Sequence, residues 1–214
     1  MYLKMIYIWV RLKMNIVEIK TFKFEELAEQ AQQNAIEQYR DSDHLEYGWH
    51  DSIKEDFHSI LELIGFYNIK SCFTGFWSQG DGASFTGDYS YKKGCLKAIK
   101  EHAPLDNELH EIVKGIIYHQ KDNGYLLTCN IYKNNHLYSH SNTMRFDWCK
   151  NGDSYFEWKN IHVEDEIEQL FKDLADWYYK QLESEYDYLN SDESIKETLI
   201  INEYDFLECG KQYY

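Results

Sequence analysis

The sequence predicts an α+β fold, an antiparallel sheet built from hairpins with helices packed on it in a single domain. Three observations predict it. Two segments, 67–91 and 125–148, pair aromatic and β-branched runs through glycine- or asparagine-bearing turns. Between and after them lie stretches whose apolar residues recur every three or four positions. The 214 residues include one proline, Pro104, and no Pro/Ser-rich linker, a length that suits one domain. Residues 1–13 read as an N-terminal extension and residues 14–214 as the domain.

The extension, Met1-Tyr-Leu-Lys-Met-Ile-Tyr-Ile-Trp-Val10, is apolar but too short to span a bilayer, and Lys4, Arg11 and Lys13 interrupt or flank it. Asn15 to Phe22 reads as the first strand. A helix over about Phe24 to Tyr39 follows, with Leu27, Ala31 and Ala35 on one face. After an aromatic, polar connection from Asp41 to His50, Asp51 or Ser52 caps a helix carrying Ile53, Phe57, Ile60, Leu61 and Ile64, and Gly65 ends it.

The chain is organised around Phe73-Thr-Gly-Phe-Trp-Ser-Gln-Gly-Asp-Gly-Ala-Ser-Phe85. Strands Tyr67–Trp77 and Ala83–Tyr91 are expected to meet through a tight turn of three to five residues at Gln79-Gly80-Asp81-Gly82. Gly80 and Gly82 take positive φ freely, and Asp81 tolerates it. Two readings of this turn stand side by side. Gly-Asp-Gly is ordinary turn chemistry; or the turn offers main-chain N–H groups to a ligand, with Trp77 as a flat contact surface and Ser78, Gln79, Asp81 and Ser84 beside it.

A short helix over Lys92 to His102 stops at Pro104. Asp106 or Asn107 caps the next, which ends near Asn123-Gly124. The second hairpin is read as Tyr125–Tyr132, a turn at 133–135, then His136–Ser141 continuing to Met144–Trp148. A long helix from Val163 to about Tyr188 and a final helix capped by Ser191 complete the fold, with a short strand or hairpin in the tail from Tyr204.

The net charge of −15 argues against nucleic-acid binding through a basic patch and against an anionic membrane surface; it suits basic partners. Residues 151–214 hold 17 Asp/Glu against 5 Lys, so −12 of the total lies there. That is either a surface for a basic partner or a solvated helix face. The five cysteines, odd in number and without ligand spacing, read as small hydrophobes of a reduced cytoplasmic chain. Of the thiols, Cys95 has lysine neighbours in sequence, Lys92, Lys93 and Lys97. His136-x-x-x-His140 lacks further ligands, so no metal is called for, and no cofactor. Tyr138, His140 and Ser141 are expected on the same sheet as the first hairpin, lining a pocket with Trp77 and Gln79. No catalytic signature stands out; a hydrolase using Asp81 and His140 is the enzymatic alternative.

Four stretches carry a resemblance: Glu18 to Arg40, Phe73 to Phe85, Ala98-Ile-Lys-Glu-His-Ala-Pro104 and Gln181 to Asp192. They are similar to a family of small phage and prophage proteins, some labelled antitoxins of toxin–antitoxin stability systems. The resemblance covers most of the chain from Asn15 onward, and implies a mobile-element origin and a bacterial cytoplasmic setting. The expected function is a non-enzymatic accessory protein that binds a host or toxin protein, or a small signal molecule. A small-ligand or nucleotide-binding module at Trp77–Ser84 plus Tyr138 and His140 is the alternative.

Overall fold

The computed structural model describes residues 18–42, 45, 48–133, 138–158 and 162–214. The expected extension 1–13, the start of the expected first strand, His44, Tyr47 and the centre of the second hairpin (134–137) lie outside the described residues. The protein is α+β, with helices and antiparallel sheets. Two compact units divide the chain, one of residues 45–189 and one of residues 1–44 with 190–214.

In the larger unit, helix α2 (Asp51–Ile64) leads into strands β2 (Phe66–Thr74) and β3 (Gly82–Ser90). Helices α3 (Cys95–His102) and α4 (Asn107–Asp122), strands β4 (Leu127–Lys133) and β5 (Met144–Lys150), and the long α5 (Val163–Leu189) follow. The strands form one antiparallel sheet in the order β2-β3-β4-β5. Both hairpins therefore share a sheet, joined by the β3–β4 pairing.

Register explains why one face is apolar and the other polar. Side chains alternate along a strand, so Phe85 and Tyr89 on β3, and Leu127, Cys129 and Ile131 on β4, turn inward and are buried. Thr128, Asn130 and Tyr132 turn outward and are exposed. The inner face meets α2, α4 and α5. Phe171 of α5 touches Phe66, Tyr89, Trp148 and Phe146 at ring separations of 4.9–5.9 Å. Phe57 of α2 lies flat on Tyr178 of α5, 4.2 Å apart and tilted by 3°. Each such fully buried side chain contributes about 1.5–3 kcal/mol. On the outer face Asp88 joins three strands, accepting hydrogen bonds from the Asn68 and Asn130 amides at 2.8 and 2.9 Å. Those two bonds hold its carboxyl below the usual carboxylate range.

Caps fall largely where side-chain chemistry puts them. The Asp106 carboxylate accepts the Leu109 N–H at 2.8 Å and starts α4. Asp51 opens α2 as its first residue, and His50 holds the cap position. Gly65, at φ 124°, ends α2 because few other residues adopt that backbone.

The smaller unit contains β1 (Phe22–Lys23), α1 (Glu29–Arg40), α6 (Asp192–Ile201), β6 (Asp205–Phe206) and β7 (Gln212–Tyr213). Its three-stranded sheet has the order β1-β6-β7. The core is Phe24, Leu27, Ala31, Ala35, Ile36, Ile195, Leu199 and Phe206. Ser191 caps α6 by accepting the Ser194 N–H at 3.2 Å. The tail hairpin is present as expected. The first helix is shorter than its periodicity suggests. Phe24–Glu26 is a separate 3-10 turn, and the chain is extended at Leu27 and Ala28 before α1 begins. Gln32 explains the break, since its amide donates to the Phe24 and Leu27 carbonyls and satisfies them without a helix.

Among the described residues no helix is long and apolar enough to cross a membrane.

Candidate functional site

The first hairpin differs from its expected shape. Pairing stops at Thr74↔Gly82, so a seven-residue loop, 75–81, joins the strands in place of a tight turn, and Trp77 stands in the loop. The cause is local bonding. The Asp81 carboxylate accepts the Ser78 N–H at 2.7 Å, and the Asp81 N–H donates to the Ser78 carbonyl at 3.1 Å. Asp81 thus closes a turn with Ser78, and its own carboxylate takes an N–H that the nest reading would offer to an anion.

Aromatic rings hold the loop from below. Phe76 contacts Tyr186 at 4.8 Å and stacks on Tyr179 at 5.5 Å, both from the last turns of α5. The Tyr179 hydroxyl donates to the Gly75 carbonyl at 3.1 Å. Trp49 meets Phe73, Phe76 and Tyr186 at 5.9–6.3 Å. Above this base Trp77 touches Tyr186 at 5.2 Å and Phe76 at 5.7 Å, yet remains 71% exposed. Its φ is +69°, a left-handed backbone that a bulky L residue rarely adopts. Burial, with the carboxylates of Asp81 and Glu183 beside it, pushes the Tyr179 phenol upward.

The 138–140 segment lies along the same end of the hairpin. The Tyr138 ring approaches Gly80 so closely that a Cβ there would sit 3.3 Å from it. At Gly82 a Cβ would stand 2.6 Å from the Cβ of His140, so only glycine lets the two backbones come together. Tyr138 and His140 are not on a strand, however. They precede a 3-10 turn, Ser141–Thr143, that leads into β5.

The sequence-predicted residues therefore separate. Trp77, Ser78, Gln79, Gly80, Asp81 and Tyr138 gather at the tip. Gly82 and His140 form a backbone crossing beneath it. Ser84 is 1% exposed and belongs to another group. Opposite it in register is Cys72, whose Sγ is 3.4 Å from Ser84 Oγ and 3.2 Å from Ser139 Oγ. Lys133 Nζ donates to Ser139 Oγ at 2.5 Å and lies 3.8 Å from the sulfur. Partial burial alone would push the Cys72 thiol up, but the bonds to Ser139 and Ser84 and the Lys133 charge outweigh it and hold it below the usual thiol value.

This corrects the reading of the cysteines. Cys95 and Cys129 are buried small hydrophobes, and burial pushes both thiols up. Cys72 and Cys209 are exposed, and Lys133 lies at the Cys72 sulfur, whereas at Cys95 the Lys92 charge is outweighed by burial. The residues missed by spacing are Tyr179 and Tyr186, Lys133 and Ser139. The tyrosines carry a faint signal, lying seven apart on α5; Lys133 and Ser139 carry none. Among the described residues no three His, Cys, Asp or Glu side chains converge as metal ligands. One cleft of about 260 Å³ in the larger unit is lined by Ser52, Asp56, Trp177 and Glu185 among others, and by none of the hairpin-loop residues.

The fold and site define an α+β protein with an aromatic-seated hairpin tip and a thiol cluster on the same hairpin. The chain belongs to the family described as a domain of unknown function (DUF8835), matched over residues 49–192. No curated protein and no solved structure matches it.

Proposed function

We propose that this is a non-enzymatic binding protein that holds a basic segment of a host or toxin protein on the tip of the first hairpin. Trp77 is the observation that carries the reading. A bulky residue in left-handed backbone costs about 1–3 kcal/mol, and an indole that stays 71% exposed returns little of it to folding. A residue both strained and exposed, seated on a rigid aromatic base, suits a contact surface.

Charge selects the occupant. The carboxylates of Asp81 and Glu183 lie beside Tyr179 at the base of the tip, and the whole chain carries −15. Lysine and arginine side chains gain from carboxylates at a rim and from the open face of an indole. A small anion gains from neither. The resemblance to phage and prophage proteins fits an accessory role in a bacterial cytoplasm, where occupying a host or toxin protein blocks its effect.

Calorimetry with an oligo-arginine peptide, an oligo-glutamate peptide and ATP tests this. The arginine peptide is expected to bind the wild type and to lose about tenfold or more in affinity with Trp77→Ala. Equal affinity in the variant, or a preference for ATP, would overturn the reading.

A further inference from the structure

We propose that Cys72 is a nucleophilic thiol site, cradled by Lys133, Ser139 and Ser84, that exchanges with low-molecular-weight disulfides to form a mixed disulfide. This is independent of the tip as a binding surface.

Three groups, Ser84 from the facing strand, Lys133 from β4 and Ser139 from the segment before β5, converge on one sulfur. Ser84 and Ser139 are 1% and 5% exposed, and buried hydroxyls require partners. Because Lys133 donates to Ser139 Oγ, the Ser139 hydroxyl proton is free to point at Cys72 Sγ. The Ser84 hydroxyl reaches the same atom from the facing strand. A thiolate accepts two such hydrogen bonds well and a thiol accepts them poorly, so the cluster favours the ionised form, and the ammonium at 3.8 Å adds to it. The segment carrying Ser139 is itself pinned, its N–H donating to Thr74 Oγ1 at 3.3 Å. Cys72 nevertheless remains exposed, so an incoming disulfide can reach it.

The exchange balances without another reactant. The Cys72 thiolate attacks one sulfur of the disulfide, that S–S bond breaks, a new S–S bond forms, and the other half leaves as a thiolate. One disulfide is consumed and one is made: the Cys72 sulfur passes from thiolate to disulfide level as the leaving sulfur passes from disulfide to thiolate, so no outside oxidant or reductant is needed. Lys70 lies two residues along the same strand, so it shares the face of Cys72 and adds a second positive charge. That favours an anionic disulfide, with glutathione disulfide as the probe.

Cys209, also exposed, is the internal control. Wild-type protein is treated briefly with iodoacetamide, or with glutathione disulfide, at neutral pH, and each cysteine is quantified by peptide mapping. Cys72 is expected to react first in both. Lys133→Met is expected to slow alkylation of Cys72 about five- to tenfold and to move its pH midpoint upward, with Lys133→Arg closer to wild type. Cys72 reacting no faster than Cys209 would overturn the proposal, even if the variants fail to fold. So would a folded Lys133→Met protein whose Cys72 rate is unchanged.

Discussion

Trp77 and Phe76 are neighbours in sequence with opposite duties. Phe76 is wedged between Tyr179 and Tyr186, whereas the Trp77 indole projects outward on left-handed backbone. Trp77→Asn removes ring contacts of about 0.5–1.5 kcal/mol but relieves strain of similar size, since asparagine tolerates that backbone. Urea unfolding is expected to place this variant within about 1 kcal/mol of wild type. Phe76→Ala is expected to lose about 2–3 kcal/mol or more. A loss for Trp77→Asn as large as that for Phe76→Ala would make the indole a core element and remove the reason for calling it a contact surface.

At the scale of elements, the start of α4 shows one side chain serving two structures. Asp106 accepts the Leu109 N–H with one carboxylate oxygen and the buried Trp177 indole N–H of α5, at 2.8 Å, with the other. Asp106→Ala deletes a cap and leaves a buried donor unmet. The combined cost is about 2–4 kcal/mol, read as a drop in denaturation midpoint with unchanged slope. The β2–β3 hairpin shows a different economy. Its two faces serve different neighbours at adjacent positions, Ser71 bonding inward to His58 Nε2 at 2.8 Å while Cys72 faces Ser84 and Ser139. Alternation along one strand is what keeps the packing side and the thiol cluster apart.

For the whole molecule, acid stability follows from histidines held neutral. Burial lowers both His58 and His119, with Lys54 adding to the effect at His58. At His119 the Glu166 carboxylate, 3.8 Å away and exposed, opposes burial but does not overcome it. A lowered folded value means that the unfolded chain binds the proton first. Stability is therefore full above about pH 6.5 and falls as pH drops from there toward the folded values. Replacing His119 with Gln is expected to flatten that part of the stability–pH curve, measured by urea melts at successive pH values. Glu168, raised by its own burial, acts in the opposite sense and at lower pH, favouring the fold as it takes up a proton.

Local chemistry alone determined much of this protein. The α2 stripe, the Asp106 and Ser191 caps, the Gly65 stop, the hairpins and the gathering of Trp77 to Asp81 at a tip all follow from forces acting over a few residues, which spacing and residue type record. The α1 start departed from periodicity because a side chain, Gln32, satisfied the backbone carbonyls instead. Only the tertiary structure decided that Tyr186 underlies Trp77, and that Lys133 and Ser139, 61 and 67 residues from Cys72, meet its sulfur. Such meetings are set by how strands register and how a connecting segment closes over a sheet edge, and no short-range pattern in the chain carries that information.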